Sequence, residues 1–166
     1  MELYVLRHGE AGKRLAAGSK DSERALTVAG EKEVEEIAGA IAKLGVRPDI
    51  VATSPLARSH QTAAIVAKKL KIKNRLQDWD ELKPEGSRTK LYERLAKLKP
   101  EASVMVVGHE PYLSTLVSEL AFDGQKGRIV MKKAGLARVG VTSFRPNPKG
   151  ELRWLLTPRI MKRVES

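Results

Sequence analysis

In Val104-Met105-Val106-Val107-Gly108-His109-Glu110-Pro111, four uninterrupted apolar residues run straight into a glycine and a histidine. A strand with no polar alternation has both faces covered, which places it inside a mainly parallel sheet flanked by helices. The residues that follow, Tyr112 to about Ala121, read as a helix. Working outward, Leu3 to Leu6 repeats the pattern and breaks at Arg7-His8-Gly9, and Asp49-Ile50-Val51-Ala52-Thr53 repeats it and breaks at Ser54-Pro55. Between them, Val34, Ile37, Ala38, Ile41 and Leu44 recur at helical spacing, with Thr27 as N-cap and Gly45 as the stop.

Pro55 is placed to open the next helix, which turns Ala63, Ile65, Val66 and Leu70 inward. A short extended piece near Arg75 to Leu82, a turn at Pro84-Glu85-Gly86 and a helix carrying Leu91, Leu95 and Leu98 continue the alternation. Two late extended runs, Leu136 to Phe144 and Glu151 to Leu156, flank Pro146-Asn147-Pro148-Lys149-Gly150 as a hairpin. Strand and helix alternate through residue 121, so the expected fold is α/β, a three-layer sandwich with a mostly parallel central sheet between helices.

The 166 residues contain 31 Lys+Arg against 20 Asp+Glu, a net charge of +11, with 42% hydrophobic residues and no cysteine. That supports a single folded domain over 1–166 and excludes disulfides, thiolate metal sites and cysteine nucleophiles. No repeat or low-complexity linker divides the chain, and nothing in it requires an oligomer. The apolar run before Arg7 is too short for a signal peptide or a membrane span, so the expected location is cytoplasmic, with no membrane partner.

A basic surplus points to nucleic acid, an anionic surface or an anionic substrate, and the positions of the arginines discriminate among them. Ligands of open α/β sheets bind at the carboxyl ends of the strands. Arg7-His8, Arg58 just beyond Ser54-Pro55, and His109 all fall there. Arginine's planar fork pairs with phosphoryl oxygens in a bidentate manner. A histidine among such arginines is disfavoured as imidazolium by like charge, and a neutral ring nitrogen is a competent nucleophile at pH 7.

Leu6-Arg7-His8-Gly9-Glu10-Ala11 resembles the Arg-His-Gly signature of the histidine phosphatase superfamily. Ala25-Leu26-Thr27-Val28-Ala29-Gly30 is similar to its Leu-Thr-x-x-Gly helix start, Ser54-Pro55-Leu56-Ala57-Arg58-Ser59-His60-Gln61-Thr62-Ala63 to its second-arginine motif, and Val107-Gly108-His109-Glu110-Pro111 to its second-histidine motif. Asp21-Ser22-Glu23-Arg24-Ala25-Leu26-Thr27 and Glu81-Leu82-Lys83-Pro84-Glu85-Gly86 resemble the small SixA-type phosphohistidine phosphatases.

The resemblance implies the phosphoglycerate mutase-like fold, without a large cap insertion because the interval from Arg58 to His109 is short. It implies His8 as nucleophile and Arg7, Arg58 and His109 on the phosphoryl oxygens, with no metal and no cofactor. Relatives with alkoxide leaving groups use an acidic proton donor, for which Glu81 is the best candidate here, and Arg24, in the loop after His8, is a candidate substrate-binding residue with plain surface as the alternative reading. The implied activity is that of a phosphatase with a covalent phosphohistidine intermediate. Its implied substrate is phosphohistidine on a protein such as a histidine-containing phosphotransfer domain in signal transduction. Alternatives are a phosphatase for small phosphomonoesters or nucleotides, a phosphate-recognition module without turnover, and a basic nucleic-acid binder.

Other residues carry plainer readings. His60 reads as solvated helix surface, Gln61 and Thr62 as residues that help place Arg58, and Trp79 and Trp154 as packing residues. The clusters Lys68-Lys69-Leu70-Lys71, Lys132-Lys133 and Met161-Lys162-Arg163 lack interleaved aromatics and read as solvated surface, so no nucleic-acid partner is expected.

Overall fold

Leu3, Tyr4, Val5 and Leu6 are all buried, and the strand they build, β1 (Glu2–Arg7), lies within a six-stranded sheet. The computed structural model describes residues 1–13, 20–122 and 127–165. In it, β1 pairs in parallel with β4 (Ser103–Gly108), β4 with β2 (Ile50–Thr53), and β2 with β3 (Leu76–Asp78). The other side of β1 takes β5 (Leu136–Ser143) antiparallel, and β5 takes β6 (Lys149–Leu156) antiparallel, so the hairpin closes an otherwise parallel sheet.

Alternate residues of each inner strand feed two separate cores. Tyr4, Leu6, Met105 and Val107 face one layer, made of α1 (Val28–Lys43), α2 (Ala57–Lys69) and α5 (Pro158–Glu165). Leu3, Val5, Val104 and Val106 face the other, made of α3 (Arg88–Leu95) and α4 (Tyr112–Ala121). This is the three-layer α/β arrangement expected from the run of patterned segments.

Local chemistry sets the element ends. The Thr27 hydroxyl accepts from the Gly30 amide at 2.9 Å and caps α1, which ends at Lys43, with Gly45 at φ 71° in the turn beyond. Gly30 is required by proximity: a Cβ there would collide with the Glu10 carbonyl of the loop after β1. Pro55 falls just before α2 rather than in its first turn, because Leu56 is still extended and serves as N-cap. Leu98 lies beyond the end of α3 yet packs on the core beneath it.

The C-terminal segment departs further from its reading as solvated surface. Residues from Pro158 form α5, Met161 is fully buried against α1, and Lys162 pairs with Glu33 at 2.7 Å. The polar loop from Gly9 to Arg24 is described at both ends, where Ala11 bridges to Leu26 and Asp21–Glu23 form a single 3₁₀ turn; its residues 14–19 lie outside the described residues. Among the described residues, no helix is long and apolar enough to cross a membrane.

Candidate active site

Strand register brings the polar residues together. Arg7 pairs with Gly108 across β1 and β4, and the His8 amide extends that ladder by donating to the Gly108 carbonyl at 3.0 Å. The two histidines that follow these strands therefore stand side by side, their ring centroids 5.0 Å apart. Both are buried, with His8 7% and His109 2% exposed. Arg58, 4% exposed, enters from the first turn of α2.

The backbone next to His8 fixes its chemistry. Its Nδ1 lies 2.7 Å from the Gly9 carbonyl. A carbonyl oxygen only accepts, so Nδ1 carries the proton and Nε2 is the ring's basic nitrogen. Burial lowers the His8 pKa to about 4; the Gly9 hydrogen bond opposes this, and the charges of Arg58, Arg7 and Arg24 reinforce it. Like charge among arginines thus contributes, but desolvation is the larger cause. His109 is lowered to about 3, by burial first and then by His8 and Arg58, against the raising influence of Asp21.

The cations are oriented by oxygens. Arg7 Nη1 donates to the Met131 carbonyl at 2.7 Å, and burial lowers its pKa against the opposing charge of Glu110. Arg58 donates through Nη1 to the Asp21 carbonyl at 2.9 Å and through Nη2 to the Asp21 carboxylate at 3.0 Å. Arg24 pairs with the other oxygen of that carboxylate at 3.1 Å and donates to the Gly12 carbonyl. Thr62 ties α2 to the loop after β1: its hydroxyl donates to the Arg58 carbonyl at 2.7 Å and accepts from the Gly9 amide at 3.1 Å. Gln61 accepts from the Leu26 amide at 2.8 Å.

Buried nitrogens face this space without a hydrogen-bond partner among the described residues: Arg7 Nε, Arg24 Nε and both ring nitrogens of His109. Unmade hydrogen bonds are costly in a folded interior, and an oxyanion with several acceptor oxygens matches a set of N–H donors.

Residues 3–94 match the family model of the histidine phosphatase superfamily (branch 1). The chain belongs to this superfamily. An uncharacterized protein of Picosynechococcus sp. is 35% identical over 164 residues, covering 96% of this chain and 98% of its own length. The solved structure of the protein histidine phosphatase SixA complexed with tungstate is 28% identical, with a TM-score of 0.82 over 96% of this chain and 98% of that one. A candidate phosphohistidine phosphatase SixA from Agrobacterium tumefaciens is 29% identical, with a TM-score of 0.71 over 95% and 97%. Family and fold together make this histidine phosphatase superfamily member a phosphatase, similar to SixA.

Two carboxylates after β3 and β4 of this phosphatase have defined partners. Glu81 lies in a 3₁₀ turn after β3 and accepts from Arg94 Nη1 at 3.1 and 3.3 Å, with the Arg94 guanidinium stacked 4.1 Å over the Trp79 ring. Glu110 accepts from the Ser114 amide at 2.9 Å, at the start of α4. Asp21, Glu110 and the Met131 carbonyl were given no role by sequence reasoning. Asp21 precedes Arg24 by three residues, a spacing that signals an ion pair on a helical turn. A backbone carbonyl such as that of Met131 leaves no trace in composition. His60 is half-exposed and meets Asp78 at 2.8 Å, and Trp79 is buried, both as packing and surface arguments lead one to expect.

Proposed function

We propose that this phosphatase hydrolyses phosphohistidine on a protein, with His8 as nucleophile. The observation that carries the reading is the Nδ1 to Gly9 hydrogen bond, which leaves a neutral Nε2 beside buried N–H donors. In the first step the Nε2 lone pair forms a bond to phosphorus while the P–N bond to the substrate imidazole breaks in line. The released imidazole leaves neutral, its other ring nitrogen already carrying the proton. In the second step water attacks the phosphoryl group on His8, phosphate departs and Nε2 is restored. Arg7, Arg58 and His109 hold the equatorial oxygens, Arg24 adds to the positive field, and charge stabilisation of this kind supplies most of the rate in phosphoryl transfer.

The leaving group favours phosphohistidine over a phosphomonoester. An alkoxide needs a proton from an acid, and Glu81, the donor expected from sequence, is engaged by Arg94 as an acceptor. Imidazole, whose conjugate acid has a pKa near ~6.5, leaves without such help. Similarity to SixA supports the same substrate class. Tungstate, bound by the SixA relative, is a tetrahedral oxyanion of the kind these donors suit.

Rapid quenching into alkali, where N-phosphohistidine survives, tests the mechanism with a radiolabelled phosphohistidine protein. Wild-type enzyme carries label on His8, and His8→Ala carries none and turns over about 10³-fold more slowly or worse. Unchanged turnover by His8→Ala overturns the mechanism.

A further inference from the structure

The segment leading into β5 has features that catalysis by itself does not use. Residues 127–132 join no helix and no strand ladder, yet their burial alternates: Ile129 packs on the core and Met131 is buried, whereas Arg128, Val130 and Lys132 are exposed. A period of two means extended chain with one side inward and one outward. Both ends are fastened. Gly127 donates to the Ser118 hydroxyl of α4 at 2.7 Å, while the Met131 carbonyl accepts from Arg7 and the Ala134 amide donates to the His8 carbonyl. The outer side of this strap therefore runs up to the rim of the site.

Its surface combines charge with one apolar residue. Val130 is 64% exposed, flanked by Arg128 and Lys132, and neither cation has an ion-pair partner among the described residues. Lys133 is partly offset by Glu10 at 3.9 Å. His8 and His109 lie below the surface, so only a narrow protruding group reaches them. A phosphorylated side chain on a partner's surface has that shape, and the face around it must tolerate the exposed cations Arg128 and Lys132.

We propose that the outward side of this strap, formed by Arg128, Val130 and Lys132, is the docking surface on which an acidic phosphoprotein rests while its phosphorylated side chain enters the site. This rests on the protein-substrate reading above and names the partner's chemistry: a carboxylate-rich patch beside an apolar contact. Cations at an interface rim act mainly by speeding encounter, and salt screens them.

Turnover of a histidine-phosphorylated phosphotransfer domain of acidic pI is compared with that of free phosphohistidine for wild type, for the Arg128→Glu, Lys132→Glu double variant, and for Val130→Ser. The double variant loses about tenfold in kcat/KM on the domain at low ionic strength, the gap closing by about 0.5 M salt, with free phosphohistidine turned over within about twofold of wild type. Val130→Ser loses a smaller factor on the domain that salt does not close. Equal rates for all three proteins on the domain overturn the docking surface and leave the protein-substrate reading standing. Equal losses on both substrates overturn it too, by placing the strap's effect on Arg7. A wild type no better on the domain than on free phosphohistidine overturns the protein-substrate reading and the docking surface with it.

Discussion

An imidazole attacks phosphorus only when neutral, and at His8 the fold secures that form chiefly by taking the ring out of water. The linkage to stability has a definite sign. An unfolded histidine titrates near ~6.5, whereas folded His8 titrates at about 4, so between those values the unfolded chain binds more protons and stability rises with pH. The contribution is complete above the unfolded value and is lost as the pH falls through that window. His109, lowered to about 3, acts in the same direction. Urea unfolding between pH 7 and 4.5 accordingly shows a loss of stability that is smaller in His8→Asn by about 2–3 kcal/mol, since asparagine has no proton to gain. Nitrogen-15 spectra of wild type show His8 as the neutral Nδ1–H tautomer at pH 5.5; a midpoint near the unperturbed value contradicts the assignment.

The site depends equally on how elements are joined, and one hydroxyl joins two of them. Thr62 spans from the Arg58 carbonyl in α2 to the Gly9 amide after β1, so the helix that carries Arg58 is held against the residue that sets the His8 tautomer. Thr62→Val keeps the shape and leaves a buried N–H unpaired, costing about 1–3 kcal/mol. Its kcat falls with its melting temperature, whereas Thr62→Ser retains both. A variant that loses stability with full kcat separates Thr62 from the site. Elements of this kind were legible where period and length gave a signal: β1, β2 and β4 as unbroken apolar runs, α1 through its spacing and Thr27 cap, and the β5–β6 hairpin through its Pro146-Asn147-Pro148 turn, although Lys149 and Gly150, read with the turn, already pair with β5. The motifs at the strand ends were legible too, and register explains why: His8 and His109 adjoin because β1 and β4 pair residue for residue. What escaped was set by tertiary contact. Asp21 becomes a clamp only where Arg58 and Arg24 converge, Glu81 is claimed by Arg94 from another helix, and α5 is too short for its single fully buried residue to form a period.

Across the molecule, the candidate site and its scaffold contacts occupy opposite ends. The strand ends gather His8, His109, Arg7 and Arg58, while α5 descends along α1 until Glu165 meets Lys43 and Lys69 at the far ends of α1 and α2. The net charge of +11 is divided in the same way: buried Arg58 and half-buried Arg7 and Arg24 at the site, exposed cations on the strap, and lysines such as Lys162 neutralised by Glu33 and Glu36 in a scaffold contact. Met161 is the apolar anchor of that contact, fully buried in the core shared by α1, α2 and β1. Truncating it removes packing that the partly exposed ion pairs around it do not replace, since pairs open to solvent contribute little. Met161→Ala is therefore expected to cost about 2–5 kcal/mol, lowering the melting temperature by roughly 5 °C or more. Below that transition, its kcat on free phosphohistidine stays within about twofold of wild type, because α5 packs along α1 and its ion pairs fall on Glu33, Glu36, Lys43 and Lys69, whereas His8 and the arginines are oriented by Gly9, Asp21, Thr62 and the Met131 carbonyl. Calorimetry and initial rates on the same preparation check both halves, and a fall in kcat without a fall in melting temperature would place α5 in the service of the site instead of the scaffold.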